Sequence, residues 1–207
     1  HLARREGTAA GFDPAISPFV GTQADGPDAW ADLVRLVGPG ATGVIAGSPL
    51  PVPEGLDVPL RLVGYQMVAE GWAPDADPEM TELGPDDAAD MLDLTDRTRP
   101  GPFQLRTHER GRYVGLRVEG RLVAMAGERF HPPGYTEISA VCTDPGFRGQ
   151  GLAQRAMATV AAGIGARGET PNLHVSGSDE NAIRLYQRMG FAVPREIGFV
   201  AGTTPAA

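Results

Sequence analysis

The sequence predicts an α+β fold, a mixed central sheet flanked by helices, and three observations carry that reading. A short strand-like run over 136–143 stops at Asp144-Pro145-Gly146 and is followed by a glycine loop and an amphipathic helix. Two alternating runs, 113–118 and 121–130, are joined at Glu119-Gly120 as a hairpin. Helical and strand periodicities interleave along the remainder, which puts a β-α-β unit at the centre.

Taken in order, residues 1–27 are rich in Gly, Pro, Ala and Asp and read as a tail or an irregular lead-in. A helix is expected over 28–37, with Trp30, Leu33, Val34 and Val37 on one face and Gly38 as its stop. A strand at 42–46, a Pro-rich connector at 48–59 and a second strand at 60–69, broken by Gly64, follow. The Pro- and Asp-rich stretch 71–78 is the best boundary in the chain and divides 1–75 from 76–207. Beyond it come a strand at 80–83, a helix at 86–97 with Asp86 as its N-cap, a turn at Pro100-Gly101-Pro102, and the hairpin. The helix opening at Gly151 turns Leu152, Ala153, Ala156, Met157, Val160, Ala161 and Ile164 inward and Gln154, Arg155 and Thr159 outward. A buried strand at 172–176, a helix at 179–189 stopped by Gly190, and one or two strands at 191–200 complete the chain.

The loop Arg148-Gly149-Gln150-Gly151-Leu152-Ala153 is a candidate diphosphate cradle. Glycine removes the Cβ atoms that keep a ligand off the backbone, and the following helix opens with unpaired N–H groups at the positive end of its dipole. This loop carries neither Gly-x-Gly-x-x-Gly nor Gly-Lys-Ser/Thr, so dinucleotide and nucleoside triphosphate readings lack their defining residues here.

The same six residues match the (Arg/Gln)-x-x-Gly-x-(Gly/Ala) signature of the GNAT superfamily of acyl-CoA-dependent N-acyltransferases. The run from Asn181 through Leu185-Tyr186 to Gly190-Phe191 is similar to that family's second hallmark, Asn-x-x-Ala-x-x-Leu-Tyr-x-x-x-Gly-Phe, shortened by two positions between the Asn and the Leu-Tyr pair. The resemblance extends over residues 80–200 and implies the GNAT acyltransferase fold, with acetyl-CoA as co-substrate. It implies that backbone groups of Val141, Cys142 and Thr143 meet the pantetheine arm and that an N–H near Val141 polarises the thioester carbonyl. Arg148, Gly149, Gln150, Gly151, Leu152 and Ala153 would hold the diphosphate, and Asn181 the opposite wall. Tyr186, placed beside the thioester sulfur, would be the general acid. Some members carry a degenerate half-copy of the fold ahead of the catalytic domain, and 1–75 is read that way, with 76–207 catalytic. The activity implied is transfer of acetyl to a primary amine by direct attack in a ternary complex. The rival is a non-catalytic acyl-CoA-binding sensor or partner module.

Acyl transfer to an amine needs a base, a stabilised oxyanion and a protonated leaving thiolate. An alkylammonium with a pKa near 10 must give up about 3 units at neutral pH, roughly 4 kcal/mol, so a positioned base is worth having. Glu137 is the candidate: period two puts it on a face with Ser139, Val141 and Thr143, and it stands 11 residues before Arg148, the offset of the glutamate base in histone-acetylating relatives. Glu128 is the reserve. His174 alternates with Leu173 and Val175 and reads as a base or, more simply, as a core or rim histidine. Cys142 falls opposite Glu137, alongside Ile138 and Ala140, as core rather than nucleophile. Arg97, Arg99, Phe103 and Arg106, with Tyr65, Gln66 and Met67, are the expected acceptor lining, in which arginine would grip a carboxylate.

The 18 basic residues are all Arg, against 26 acids, for a net charge of −8. Nucleic acid and anionic membranes are not expected partners; a small-molecule or peptide amine is. Coenzyme A is itself a polyanion, so Arg148, Arg155, Arg184 and Arg188 are expected to favour it locally. The single Cys142 forms no internal disulfide, and neither an 18-residue apolar run nor a charged-then-apolar leader is seen, so a reducing, cytoplasmic setting is expected. No metal is implied, since no His, Cys or acid pair has ligand spacing. The apolar face around Trp30 must be covered by this chain or by a second copy in a homodimer.

Overall fold

The computed structural model describes residues 2–48 and 57–206. The expected N-terminal tail is instead ordered: β1 (Arg4–Glu6), β2 (Ala9–Gly11) and β3 (Val20–Thr22) form a three-stranded antiparallel sheet. Such short strands give little periodicity, and a tertiary partner holds them. That partner is α1 (Pro27–Val37), whose Asp32 accepts from the Thr8 backbone N–H at 2.7 Å and from its hydroxyl at 3.0 Å. Leu33 and Leu36 pack on Ala9 and Ile45, with Trp30 and Val37 at the margin. The Trp30 face is thus covered by this chain's own N-terminal sheet.

The remaining strands form one eight-stranded sheet. They are β4 (Thr42–Gly47), β5 (Asp57–Val68), β6 (Thr81–Leu83), β7 (Tyr113–Val118), β8 (Arg121–Glu128), β9 (Tyr135–Thr143), β10 (Thr170–Ser176) and β11 (Ala192–Thr203). Their order is β4-β11-β5-β10-β9-β8-β7-β6, with β9–β10 as the parallel pair and antiparallel pairing elsewhere. Most of the connector expected at 48–59 lies outside the described residues, and from Asp57 the chain is already in β5. β5 precedes the 71–78 connector yet lies between β11 and β10, so strands from both sides of residue 75 share the sheet.

Helix α2 (Ala88–Thr98) follows a short 3-10 turn at Pro85–Asp87 and covers one face of the sheet. Its Met91 and Leu94 pack with Tyr113, Met125 and Cys142. Helix α3 (Leu152–Ala166) covers the other through Ala156, Met157, Val160 and Ile164, against Val114, Ala126, Ile138 and Leu173. β8 is therefore buried on both faces from Leu122 to Glu128, a continuous rather than alternating pattern. α4 (Glu180–Arg188) lies between β10 and β11 in the chain. Thr159, expected outside on α3, is buried: its hydroxyl donates to the Arg155 carbonyl at 3.0 Å and accepts from the Asp77 N–H at 2.9 Å.

Two irregularities open the sheet. β9 and β10 pair only from Thr170↔Tyr135 to Asn172↔Glu137, and beyond that they run unpaired. On its other edge β9 bulges, its register with β8 stepping from Gly127↔Ser139 to Met125↔Cys142 around Ala140, which has φ 53°. One extra residue inverts the alternation. Ile138 and Val141 consequently both pack on the α3 side, and Ala140 and Cys142 on the α2 side. The period-two face expected to run from Glu137 through Val141 breaks at Ala140, and Cys142 does not share a face with Ile138.

Candidate active site

The cradle is built at the end of β9. The Asp144 carboxylate accepts from the Gly146 N–H at 2.9 Å, and the Phe147 N–H returns to the Asp144 carbonyl at 2.9 Å, which turns the chain sharply. Arg121 at 2.7 Å, together with Arg97, holds that carboxylate. Gly149 and Gly151 then take φ 78° and 74°, the left-handed region where a side chain is strained. Gly151 is the N-cap of α3 and supplies no side-chain acceptor, so the first N–H groups of a 15-residue helix are left for a ligand. A cleft of about 730 Å³ runs over them and brings together Val141, Cys142, Thr143, Arg148, Gly149, Gly151, Leu152, Ala153 and Tyr186. These are most of the residues expected to hold the co-substrate.

Two expected members lie elsewhere. Gln150 is exposed and does not line the cleft, and Asn181 is exposed, its side-chain oxygen accepting from Arg184 Nη2 at 2.8 Å. The α4 cap is Asp179, which accepts from the Ala182 N–H at 3.0 Å and itself lines the cleft. The arginine expectation narrows too: Arg155 is committed to Asp77 at 2.5 Å and to Glu79, and Arg184 to Glu180 at 3.0 Å. Arg148 remains exposed at the loop itself.

A second cavity, of about 360 Å³, meets the cleft where β9 and β10 diverge; Val141, His174 and Tyr186 line both. Behind the junction stands a buried charge chain. Arg129 donates through Nη2 to Glu137 Oε1 at 2.5 Å and through Nε to Oε2 at 3.0 Å, and His174 Nδ1 lies 2.6 Å from Oε1. Glu137 is 1% exposed and lines neither cavity, so the expected base cannot touch an amine directly; His174 stands between. Burial by itself would raise the Glu137 pKa, but the Arg129 charge and the hydrogen bonds from His174 and Arg129 pull it down to about 2. An ionised carboxylate only accepts, so Nδ1 donates to it, which selects the tautomer whose lone pair is at Nε2. Nε2 is buried with no hydrogen-bond partner. Phe199 fixes the ring edge-to-face, with centroids 5.8 Å apart.

The other candidates sort readily. Burial, with a smaller push from Asp179, raises the Tyr186 hydroxyl to about 12, so it stays protonated at neutral pH as a donor. Burial likewise raises the Cys142 thiol to about 11, which suits core packing and not a nucleophile. Glu128, the reserve base, is buried, accepts from Arg167 at 2.9 Å and lines neither cavity. The expected acceptor lining assembles only in part: Arg99 and Phe103 border a pocket with Thr95, Asp96 and Gly101. Arg97 pairs with Asp93 at 2.9 Å and with Asp144, Arg106 pairs with Glu109 at 2.6 Å, and Phe103 is core, stacked edge-on to Tyr113. Met67 is fully buried in the α3 core, Tyr65 packs on its edge, and Gln66 accepts from Arg195 at 2.7 Å. Arg99 reaches the cleft alone of that group.

Comparison with known proteins agrees with this geometry. The family model described as FR47-like protein matches residues 113–200. The crystal structure of a protein from Novosphingobium aromaticivorans DSM 12444, described as an inferred acetyltransferase from the GNAT family, is 37% identical. The match covers 100% of this chain and 92% of that one with a TM-score of 0.89. The chain belongs to the GNAT family. Two more distant structures share the fold alone. A GCN5-related N-acetyltransferase from Kribbella flavida is 18% identical over 99% of this chain and 90% of that chain, TM-score 0.62. The ribosomal-protein-S18-alanine N-acetyltransferase from Escherichia coli is 20% identical over 62% of this chain and 94% of that chain, TM-score 0.50. No curated protein matches the chain.

In this GNAT protein, sequence reasoning missed Arg129 and undervalued His174. A signal existed for both. Arg129 and Glu137 are opposite charges facing each other across β8 and β9, tied by the Arg129 N–H to the Glu137 carbonyl at 3.0 Å. Asn172 is the register partner of Glu137, which puts His174 one side-chain repeat further along the same face of β10. Among the described residues no group of three or more His, Cys, Asp or Glu is placed to hold a metal ion, and no helix is long and apolar enough to cross a membrane.

Proposed function

We propose that this chain is an N-acyltransferase that moves acetyl from acetyl-CoA to an amine by direct attack in a ternary complex. One observation supports this above all: a buried carboxylate is hydrogen-bonded to His174, a residue that lines both of two joined cavities, one of which ends in the glycine cradle of α3. The cleft fits the co-substrate because unpaired helix N–H groups and Arg148 meet a diphosphate, while the unpaired edge of β9 at Ala140 and Val141 follows a pantetheine arm. Glu137 positions the base rather than serving as it. The amine nitrogen attacks the thioester carbon as its proton passes to His174 Nε2, and Glu137 stabilises the resulting imidazolium through Nδ1–H. Collapse breaks the C–S bond, and the thiolate takes the hydrogen bond, then the proton, of Tyr186. Cys142 has no part, which favours one direct transfer over an acyl-enzyme.

A stopped assay with a thiol reagent tests this. Acetyl-CoA and a panel of amines should release coenzyme A together with one equivalent of N-acetyl product. Tight acetyl-CoA binding with no thiol release on any amine would favour the binding-module reading instead.

A further inference from the structure

The second cavity points to the kind of acceptor. Much of its wall is apolar, from Phe19, Val44, Leu60, Leu62, Phe199 and Ala201, with Ser139, Ser176, His174 and Tyr186 adding polar groups. Among the described residues lining it, Arg129 is the one permanently charged side chain, and its Nε and Nη2 are already committed to Glu137 while its guanidinium lies 4.7 Å from the Phe19 ring centroid. Glu137 already balances that charge, so a substrate carboxylate could reach only Nη1 and would add a second anion to the buried pair. Among the described residues no Asp or Glu lines the space, so a second ammonium would be buried there without a carboxylate partner, which is costly. Leu60 and Leu62 at the rim are 48% and 40% exposed, apolar surface that an apolar ligand would cover. At about 360 Å³ the space lies at the lower end of small-molecule sites.

We infer that the acceptor is a monoamine with an uncharged apolar body, aryl or short alkyl, seated among these residues with its nitrogen beside the His174 ring. This rests on the acyltransferase reading and narrows it: free amino acids, polyamines and protein lysine side chains flanked by charge are disfavoured.

The test compares kcat/KM, by coenzyme A release, for 2-phenylethylamine and hexylamine against 5-aminopentanoate and 1,5-diaminopentane, which match hexylamine in reach but end in a charge. The apolar pair should be favoured by about 100-fold, the discrimination expected from burying a phenyl-sized body. Leu60→Asp, at an exposed position, should lower kcat/KM for hexylamine by about 10-fold, raise it relatively for the diamine, and leave the acetyl-CoA Kd unchanged. Equal or better turnover of the charged amines overturns the acceptor class and leaves the transferase reading intact. So does a preference for hexanoyl-CoA over acetyl-CoA that Leu60→Asp removes, since the cavity would then take the acyl chain. Acetyl-CoA binding without turnover of any amine overturns both.

Discussion

The two halves of the site are built on different plans. The cradle comes from one contiguous stretch, Arg148 to Ala153, and works through backbone donors and two positive-φ glycines. The proposed acceptor side draws on distant segments, with Phe19 from the N-terminal region, Leu60 and Leu62 from β5, Arg129 just past β8, His174 from β10 and Phe199 from β11. It works through side chains that meet only after folding. The first half tolerates changes in its exposed side chains, and the second depends on each partner.

Removing Arg129 should break that contrast hardest. Arg129→Met leaves Glu137 buried and uncompensated, and a loss of about 3–5 kcal/mol in urea unfolding is expected; a loss below about 1 kcal/mol would mean the pair is not buried as described. His174→Asn should keep the fold but lower kcat by about 10²–10³ with acetyl-CoA affinity intact. An unchanged kcat removes His174 from the proton path.

The acid limb of stability comes next. The folded-state pKa of Glu137 is depressed, to about 2 from 4.5, so its contribution is fully present above the unfolded value and is lost as pH falls from about 4.5 towards 2. That loss is on the order of 3 kcal/mol. Melting temperature against pH should fall steeply across that window in the wild type and be flatter in Glu137→Gln, which starts from lower stability. Parallel curves would show that Glu137 is not the group titrating.

The smallest effects belong to the cradle and sharpen the comparison. Gly151→Ala, at φ 74°, should cost about 1 kcal/mol and weaken acetyl-CoA binding. Asn181→Ala should change stability by less than about 0.5 kcal/mol and leave the acetyl-CoA KM unmoved, because its side chain turns to Arg184 on the exposed face of α4. Isothermal titration with acetyl-CoA reads the binding change, steady-state kinetics the KM, and urea unfolding the stabilities.

Much of the fold was legible because it rests on local periodicity. The expected hairpin strands, the strand before the cradle, α3 and α4 all form within a few residues of their expected ends, since their apolar spacing and turn residues are written in consecutive positions. β1 to β3 were not, because three-residue strands carry no measurable alternation and are held by Asp32 of α1 and the packing of Leu33 and Leu36. Face assignments along β9 failed at one point for one reason: a bulge at Ala140, a residue with no intrinsic preference for positive φ, inverts every side chain beyond it. The Arg129–Glu137–His174 chain lay half in view, as a strand-start acid and a strand histidine whose meeting needed the register of three strands.

By itself the sequence determined what backbone and spacing determine: an α+β chain, a strand-turn-glycine-helix unit with free N–H donors at its opening, and a tyrosine helix set across from it. Only the tertiary structure decided which carboxylate is shielded, which imidazole nitrogen is left without a partner, and that the second cavity is mostly apolar. The physical reason is range. Turns, caps and helical stripes are settled between neighbours in the chain, whereas ionisation and cavity polarity are set by what burial brings alongside, and here that spans Phe19 to Ala201.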